Sequence, residues 1–264
     1  MTQFNQALSY DDVLVVPQYS DIESRSEVSL VSELDKDNRF ELPIIASPMD
    51  TVVETEMALA LAELGALGVI HRYNSIRDQK DMAWNVANAA PNKPVAAAIA
   101  ITGDFMERAE ALYNAGATIL CVDVAHGHHI MMKDALRRLR RDLPDNIHIM
   151  AGNVATRKGY EDLADWGAHS VRIGIGGGSI CSTRVQTGHG VPTFQSVLDC
   201  SESEYAGTIP IIADGGIKTS GDIVKSLGAG ADFVMIGSMF SGTTETPGKI
   251  LQAADGSKMK EYRG

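Results

Sequence analysis

A glycine-rich segment that ends in a cysteine is the part of the sequence best suited to chemistry. The run GIGGGSICSTR spans residues 174–184, and its thiol is Cys181. Glycines let the backbone approach a ligand closely and adopt positive φ, and backbone N–H donors beside Arg184 are expected to lower the pKa of the thiol. A flexible linker is the alternative interpretation, but a linker needs no thiol and no hydroxyls after its glycines. We therefore predict that Cys181 is a nucleophile that attacks an electrophilic carbon.

The other two cysteines have contexts typical of buried residues. Cys121 lies inside an apolar run and Cys200 in a predicted helix, where cysteine is usually a small buried hydrophobe. The three cysteines show neither CxxC spacing nor a disulfide framework. We predict at least one free thiol and assign the reactive one to Cys181.

Small and polar residues end several apolar runs. Backbone N–H groups of the segments 214–216 and 237–238 can surround a phosphate, although simple turns are the alternative. A carboxylate repels phosphate, so Asp214 is better suited to bind sugar hydroxyls. Asp123 and Asn153 end two further runs and are expected to face the same opening. Asp50 is a candidate helix N-cap, site residue or both.

Three histidines, at positions 126, 128 and 129, invite comparison with a metal site. Their spacing is not the i, i+4 spacing of helical zinc ligands, and no obvious set of carboxylate partners accompanies them. We therefore do not predict zinc there.

The candidate residues follow eight short apolar, β-branched runs. These begin at Pro43, Leu67, Val95, Ile119, Ile147, Ser170, Ile209 and Phe233. The runs are continuous rather than alternating with polar residues, which indicates parallel strands buried on both faces. Segments with helical spacing separate them, so the chain is predicted to be a single-domain (β/α)8 TIM barrel over residues 1–264. A doubly wound open sheet is the alternative, but no run leads at once into a GxGxxG turn that opens a helix.

The longest interval between runs follows the sixth run and holds residues 174–192. An enlarged loop after a barrel strand lies on the catalytic face, so this segment is the main functional candidate. The predicted helix ends include Asp104 and Ser220 as N-caps, and Gly116 and Gly228 as left-handed C-cap residues.

The composition argues against several classes of partner. The net charge of -11 does not favour a nucleic-acid groove or an anionic-membrane patch, because both need clustered cations. No signal-peptide pattern precedes Leu8, and no stretch of eighteen apolar residues occurs. We predict a soluble, cytoplasmic protein with no nucleic-acid or membrane partner.

Eight motifs, in this order, resemble the inosine-monophosphate (IMP) dehydrogenase and guanosine-monophosphate (GMP) reductase family. They are SPMDTV, VDVAHGH, AGNVAT, GIGGGSICSTR, ADGGI, MIGSMF, TTETPG and the final EYRG. The resemblance covers almost the whole chain. It implies that Cys181 attacks carbon 2 of a purine nucleoside monophosphate, that a covalent thioimidate forms, and that a hydride moves between this carbon and a nicotinamide cofactor.

The resemblance also implies roles for the other site residues. The nucleotide is expected to contact Ser47, Met49, Ser179, Asp214, Gly216, Gly237, Ser238, Tyr262 and Gly264. The cofactor is expected to face Asp123, Asn153, Arg172 and Gly174. Thr183 matches a threonine that helps to deliver water or ammonia, and the backbone carbonyls of Gly176, Gly178 and Cys181 match a potassium site. The family usually forms homotetramers.

The two activities of the family differ in what happens to the covalent intermediate. The dehydrogenase oxidises IMP to xanthosine monophosphate (XMP) with NAD, whereas the reductase converts GMP to IMP with NADPH and expels ammonia. Ser47, Ser238, Pro247 and Arg263 resemble dehydrogenase choices. The direct passage from His71 into a helical segment, without the inserted CBS modules of most dehydrogenases, and the segment RVQTGHGVP resemble the reductase.

We predict the dehydrogenase, with the reductase as the alternative. Family members continue beyond Gly264 into a mobile flap and a closing helix, which the given sequence does not contain. A non-catalytic purine-nucleotide-binding barrel is therefore the alternative from another class. A Schiff-base aldolase or isomerase is disfavoured because no lysine lies within the eight runs, and Lys218 is predicted to be a solvated residue at a helix start.

Overall fold

The computed structural model describes residues 6–253 and 255–264 and contains one closed parallel barrel. A short antiparallel hairpin precedes it, formed by β1 (Ser32–Asp35) and β2 (Asn38–Phe40). The barrel strands are β3 (Ile44–Ala46), β4 (Leu67–Ile70), β5 (Ala96–Ile99), β6 (Ile119–Asp123), β7 (His148–Val154), β8 (Ser170–Ile173), β9 (Ile211–Asp214) and β10 (Phe233–Ile236). Each coincides with one of the eight predicted runs, although β7 extends one residue beyond its run, and β10 pairs with β3 to close the barrel. The TIM-barrel prediction is confirmed.

Eight helices follow in the described residues. They are α1 (Thr55–Glu63), α2 (Ile76–Ala89), α3 (Phe105–Asn114), α4 (Ile130–Asp142), α5 (Arg157–Asp165), α6 (Thr183–Thr187), α7 (Thr193–Ser201) and α8 (Ser220–Gly228). Among them, none combines the length and the apolar character that a bilayer crossing would require. Residues 71–75 join β4 directly to α2, so no module is inserted there. Two short strands, β11 (Leu251–Gln252) and β12 (Lys258–Met259), form a second hairpin near the end.

Alternate residues of each strand enter two separate cores. In β6, Leu120 and Val122 join the core that contains the helices, whereas Ile119 and Cys121 join a smaller core made only of barrel strands and the β1–β2 hairpin. The smaller core is therefore the interior of the barrel. Leu34 and Phe40 of the hairpin belong to it, so the hairpin closes the end at which the strands begin.

Two of the predicted ends of α8 are wrong by one or two residues. The N-cap is Thr219 and not Ser220, because the Thr219 hydroxyl accepts the N–H of Asp222 at 3.2 Å and the Asp222 carboxylate accepts the N–H of Thr219 at 3.0 Å. This reciprocal pair is a capping box. The left-handed residue after the helix is Gly230, with φ +106°, whereas Gly228 is still helical.

The other predicted helix ends agree better with the structure. Gly116 has φ +97° directly after the C-cap of α3. Asp104 occupies the N-cap position of that helix, but its carboxylate accepts a hydrogen bond from Arg108 Nη2 at 2.9 Å rather than from the helix backbone. Asp50 is not an N-cap, because α1 begins at Thr55 and Glu54 precedes it.

Candidate active site

A cavity of about 440 Å³ opens where the barrel strands end. Its walls include every residue that the sequence predicted for catalysis, nucleotide, cofactor or cation binding: Ser47, Met49, Asp123, Asn153, Arg172, Gly174, Gly176, Gly178, Ser179, Cys181, Thr183, Asp214, Gly216, Gly237, Ser238, Tyr262 and Gly264. In a TIM barrel this is the end at which active sites are built. The predicted residues, which are scattered over the sequence, therefore come together in one site.

The Cys181 loop rises from β8 and packs directly on the end of β9. A side chain at Gly174, where φ is +146°, would place its Cβ 1.9 Å from the carbonyl oxygen of Asp214. A Cβ on Gly215 would likewise lie 2.9 Å from the backbone nitrogen of Gly178. Both contacts are too close for any side chain, so glycine is required where the two backbones meet. Close packing between loops is thus one physical reason for the glycine run.

Cys181 itself lies in a turn at the cavity wall. Its N–H donates to the carbonyl oxygen of Gly178 at 3.2 Å, and its side chain is partly exposed. Ile175 and Val191 form an antiparallel bridge that joins the two ends of the loop. The thiol is therefore held on a closed loop and is accessible from the cavity.

The other two thiols are free but buried, as predicted. Burial raises the pKa of Cys121 to about 12. Burial likewise raises the pKa of Cys200 to about 12. A thiol with so high a pKa stays protonated at neutral pH and is a poor nucleophile, which leaves Cys181 as the thiol suited to reaction.

Arg172 links two carboxylates across the floor of the cavity. Its Nη1 donates to Asp123 Oδ1 at 2.6 Å and its Nη2 donates to Asp214 Oδ2 at 2.8 Å. The Arg172 side chain is 6% exposed, and those of Asp123 and Asp214 are 16% and 14% exposed. Buried charges of this kind are retained only when they are paired, so Arg172 fixes the position of both carboxylates.

Asn153 joins this network and leaves one atom for a ligand. Its Nδ2 donates to the carbonyl oxygen of Gly174 at 2.7 Å and to Asp214 Oδ2 at 2.9 Å. Its Oδ1 is buried and has no hydrogen-bond partner among the described residues. Buried polar atoms are rarely left unpaired, so the site is built to receive a donor at this point.

The end of β10 brings the opposite wall together. A Cβ on Gly237 would lie 2.9 Å from Met49 Sδ and 3.1 Å from the Tyr262 hydroxyl oxygen. Ser47 lies in the same region, because its N–H donates to the carbonyl oxygen of Ile236 at 3.0 Å. Glycine at position 237 therefore lets Met49 and Tyr262 pack closely against the end of β10.

Comparison with known proteins agrees with this geometry. A sequence model described as "IMP dehydrogenase / GMP reductase domain" matches residues 7–264. The chain belongs to this family. It is 32% identical to the inosine-5'-monophosphate dehydrogenase of Nitrosopumilus maritimus, over 99% of this chain and 80% of that protein. It is 35% identical to the GMP reductase of Vibrio parahaemolyticus, over 97% of this chain and 74% of that protein.

A solved structure is also similar. The crystal structure of inosine 5' monophosphate dehydrogenase from Legionella pneumophila superposes with a TM-score of 0.89 at 46% sequence identity, over 98% of this chain and 77% of that one. The family, the barrel fold and a nucleotide-directed oxidoreductase class follow from these matches. Relatives of both names occur at similar identity, so the matches do not separate the two reactions.

Two residues of this family member line the cavity although the sequence did not single them out. Arg72 and Tyr73 follow β4, and the Arg72 guanidinium lies 5.1 Å from the centre of the Tyr73 ring. Arg72 Nε is 3.8 Å from Asp123 Oδ2, which is too far for a hydrogen bond, and has no partner among the described residues. Their position directly after an apolar run was the signal that could have identified them.

Arg184 does not lie where the sequence suggested. It follows Cys181 in the chain, but α6 turns it away, and it lines a different cavity of about 240 Å³ behind the glycine run. Its side chain approaches Gly176, where a Cβ would lie 2.4 Å from Arg184 Cγ. Arg184 and Cys181 therefore line different cavities, although they are close in the chain.

The final residues of the chain lie across the cavity mouth. Arg263 forms an ion pair with Asp50, and the Thr51 hydroxyl donates to the carbonyl oxygen of Arg263 at 3.2 Å. These contacts hold Tyr262 and Gly264 at the cavity wall. Asp50 thus lines the cavity, and its role as a site residue stays a prediction.

The histidine-rich loop after β6 has local partners. His128 Nε2 lies 2.7 Å from Asp162 Oδ2, and His129 Nδ1 accepts the N–H of Met131 at 3.2 Å at the start of α4. Among the described residues, no group of three or more His, Cys, Asp or Glu side chains is arranged to hold a metal ion. Lys218, which was predicted to be a solvated residue at a helix start, is exposed just before α8.

Proposed function

We propose that the protein is an IMP dehydrogenase, which oxidises IMP to XMP with NAD through a covalent bond to Cys181. One observation carries the proposal. Among the described residues, Cys181 is the only thiol that lines the cavity, and it shares that cavity with the Asp123–Arg172–Asp214 network and with the small residues at the ends of β9 and β10. A nucleophile, a hydroxyl-binding carboxylate and an anion-binding backbone are the parts that this reaction needs.

The nucleotide is proposed to bind between the Cys181 loop and β10. Backbone N–H groups near Gly216, Gly237 and Ser238 would receive the phosphate, with Tyr262 beside them and Ser179 on the facing loop. Asp214 would accept hydrogen bonds from the ribose hydroxyls, because Arg172 and Asn153 hold its carboxylate at the cavity wall. Ser47 and Met49 would contact the base. This placement would bring carbon 2 of the purine next to the Cys181 sulfur.

The proposed reaction has two stages. The Cys181 sulfur adds to carbon 2 and the neighbouring ring nitrogen takes the thiol proton; carbon 2 then loses a hydride and the ring nitrogen loses its proton to water, which leaves the thioimidate. Water next adds to carbon 2, with Thr183 helping to position it, and the sulfur leaves to give XMP and the free thiol. NAD, when bound, supplies the hydride acceptor.

The residues on the other side of the cavity suit a nicotinamide cofactor. Asn153 Oδ1 is a buried acceptor without a partner among the described residues, and a carboxamide N–H₂ is a matching donor. Asp123, Arg172 and Gly174 line the wall beside it. These residues would orient the cofactor and, together with the bound nucleotide, exclude water while the sulfur adduct is oxidised.

The Cys181 loop also suits a potassium ion. The proposed ligands are the backbone carbonyls of Gly176, Gly178 and Cys181, which are neutral oxygen donors. The Gly178 carbonyl accepts one hydrogen bond, from Cys181 N–H, and retains a second lone pair. A monovalent cation bound there would draw the loop carbonyls together and order the turn that carries the thiol.

GMP reductase, with NADPH as the reductant, is the second candidate. The similarity to reductases such as that of Vibrio parahaemolyticus supports it, as does the direct connection of β4 to α2. In that reaction Cys181 attacks GMP and ammonia leaves before reduction. The 46% identity to the Legionella dehydrogenase, together with Ser47, Ser238, Pro247 and Arg263, supports the first candidate.

Assembly as a homotetramer is part of the proposal. The segment before the barrel exposes several large apolar residues, among them Leu14, Val16 and Tyr19 at 85%, 71% and 94%. Apolar side chains this exposed favour contact with another protein surface, and a second copy of the chain is the occupant that the family suggests. Cytoplasmic localisation stays a prediction, supported by three free thiols.

The test is the absorbance at 340 nm with two substrate pairs in parallel, each with and without potassium. We expect a gain with IMP and NAD that potassium increases. A loss with GMP and NADPH, and no gain with IMP and NAD, would replace the dehydrogenase by the reductase. Intact-mass spectra should show a nucleotide adduct on Cys181; nucleotide binding without an adduct in either pair would leave only a non-catalytic nucleotide-binding barrel.

A further inference from the structure

The segment Leu8–Asp12, called here the N-terminal turn, packs against the helices that flank the proposed phosphate site. Its backbone pairs with α7, because Leu8 N–H donates to Gln195 Oε1 and Gln195 N–H donates to the Leu8 carbonyl, both at 3.2 Å. Ser9 and Asp12 close the turn, with Ser9 N–H donating to Asp12 Oδ2 at 2.7 Å. The turn is thus fixed to the barrel from outside the (β/α)8 unit.

Tyr10 is the residue of this turn that points inward. Its side chain is 6% exposed, and its ring meets Phe194 of α7 edge-on at 5.9 Å between centroids. Its hydroxyl is hydrogen-bonded to Ser226 Oγ at 2.8 Å, and Lys225 Nζ donates to its carbonyl oxygen at 2.7 Å. Tyr10 therefore lies between α7 and α8, and its contacts with both helices fix its orientation.

The Tyr10 ring also lies next to the glycine turn after β9. A Cβ on Gly216 would lie 3.5 Å from Tyr10 Cε2, an ordinary packing distance. Gly215 and Gly216 have φ +91° and +82°, so this turn is built from two left-handed glycines and has no side chains of its own with which to anchor itself. Contacts from neighbouring elements must hold it in place.

Gly216 lies between two cavities. One is the proposed active site, and the other is the cavity of about 240 Å³ that Tyr10, Gly177 and Thr193 also line. The glycine turn thus has space behind it into which it could retreat from a ligand, and Tyr10 is one of the residues that line this space. Hydrogen bonds to an anion weaken steeply with distance and angle, so such a retreat would weaken phosphate binding.

We propose that Tyr10 is a positioning residue for the phosphate of the nucleotide, acting through Gly216 without touching the substrate. The inference rests on the proposed function for the assignment of the phosphate to this turn. The N-terminal turn, which lies outside the (β/α)8 unit, then sets the ratio of the dissociation constants for a nucleoside and its nucleotide.

The test compares IMP with inosine, which lacks the phosphate, in the full chain and two variants. Tyr10→Ala should weaken IMP binding by about tenfold or more, the size of effect that small displacements of a binding group produce, and should leave inosine binding unchanged. The KM for IMP should rise while that for NAD and the kcat change little. Tyr10→Phe keeps the ring against Gly216 and should stay close to the unmodified protein.

Tyr160→Phe and Tyr160→Leu are the matched controls. Tyr160 is also buried and donates its hydroxyl to a backbone carbonyl, that of Ile209, at 2.6 Å, but it does not line either cavity. These variants should lower the melting temperature without changing the ratio of inosine to IMP dissociation constants. If Tyr10→Ala does not fold, Tyr10→Leu preserves apolar volume and is measured instead.

The two hypotheses fail in different ways. If the unmodified protein binds IMP no more tightly than inosine, the phosphate assignment in the proposed function is wrong. If it prefers IMP strongly and the Tyr10 variants keep the same preference, with only a lower melting temperature, the positioning role of Tyr10 is wrong and the proposed function stands.

Discussion

At the end of the barrel where the strands begin, the buried polar side chains described here are paired with one another, whereas at the mouth some buried polar atoms have no hydrogen-bond partner among the described residues. At the closed end, His148 Nδ1 lies 2.5 Å from Asp35 Oδ2 and its Nε2 lies 2.8 Å from Ser170 Oγ. At the mouth, Asn153 Oδ1 and Arg72 Nε have no partner among the described residues. Buried polar residues thus occur at both ends of the barrel. Those compared here are fully paired at the closed end, whereas at the mouth some of their atoms lack a hydrogen-bond partner among the described residues.

The closed end shows why residue types alone do not define a site. Asp35, His148 and Ser170 have the order of contacts found in a hydrolase triad. Ser170 and the His148 side chain are, however, completely buried beneath the β1–β2 hairpin. No substrate can reach the serine in this arrangement, so we interpret the three residues as a link between the hairpin and the barrel.

Removal of the Cys181 thiol should have the largest effect of all. Cys181→Ala should lower kcat by about a thousandfold or more, because loss of the nucleophile removes the covalent route. Cys200→Ala should leave kcat nearly unchanged, since that thiol is buried in α7 and its pKa is raised by burial. Initial rates at 340 nm measure both. Equal losses from the two variants would contradict the assignment of Cys181.

Replacing Arg172 should damage both stability and activity at the mouth. Arg172→Leu leaves the carboxylates of Asp123 and Asp214 buried without their cation, and breaking a buried pair in this way typically costs about 3–5 kcal/mol of unfolding free energy. The midpoint of urea unfolding at neutral pH should fall accordingly.

An exposed ion pair supplies the control for Arg172. Arg141 donates to Asp142 at 2.7 Å, but both side chains are substantially exposed at 71% and 32%. Arg141→Leu should therefore leave the urea midpoint almost unchanged, since exposed pairs contribute little. An Arg172 variant as stable as the Arg141 variant would show that the mouth network is not the buried charge cluster described above.

The closed end should respond to pH but not to substrate. Burial alone would raise the pKa of Asp35, but hydrogen bonds from His148, Asn38 and the Asp37 N–H outweigh it and hold the pKa well below its ordinary value of 3.8. A depressed pKa stabilises the folded protein above the ordinary value, and this contribution is lost as the pH falls toward the folded value. Asp35→Asn should therefore be less stable than the unmodified protein at neutral pH, by an amount that shrinks below about pH 4.

Unfolding curves at several pH values test this, with kcat at neutral pH as the second readout. The exposed Asp37→Asn is a suitable control, because its side chain is 66% exposed. A stability difference between Asp35→Asn and the unmodified protein that does not change with pH would contradict the ionic link. A large fall in kcat would contradict the separation of the two ends.

The barrel strands and the residues of the mouth could be predicted from the sequence, whereas the β1–β2 hairpin could not. Barrel strands are buried on both faces and appear as continuous apolar runs, so their positions were predictable. The residues of the mouth were predictable for the same reason, since Asp123 and Asp214 are the last residues of β6 and β9. Hairpin β1–β2 was missed because its strands are short and largely polar, and Leu34 and Phe40 acquire meaning only when they meet the barrel interior.

Closeness in the sequence did not predict which residues share a cavity where a loop reverses direction. Arg184 is three residues from Cys181 but lines the neighbouring cavity, because it belongs to α6. Tyr10 is far from Gly216 in the chain yet lines the same cavity, with its ring 3.5 Å from the position that a Cβ on Gly216 would take. Contacts of this kind depend on tertiary packing, which local propensity and periodicity do not encode.

The smallest expected effect concerns a helix-capping residue that lies outside the mouth cavity and whose partner is only three residues away in the chain. Thr219 caps α8 through Asp222, so Thr219→Ala should lower the unfolding free energy by about 1 kcal/mol. Ser220 is the first residue of the helix and makes no capping contact, so Ser220→Ala should have almost no effect. The midpoints of urea unfolding of the two variants test this assignment of the N-cap. A larger loss from Ser220→Ala would restore the N-cap that the sequence predicted and would move the start of α8 by one residue.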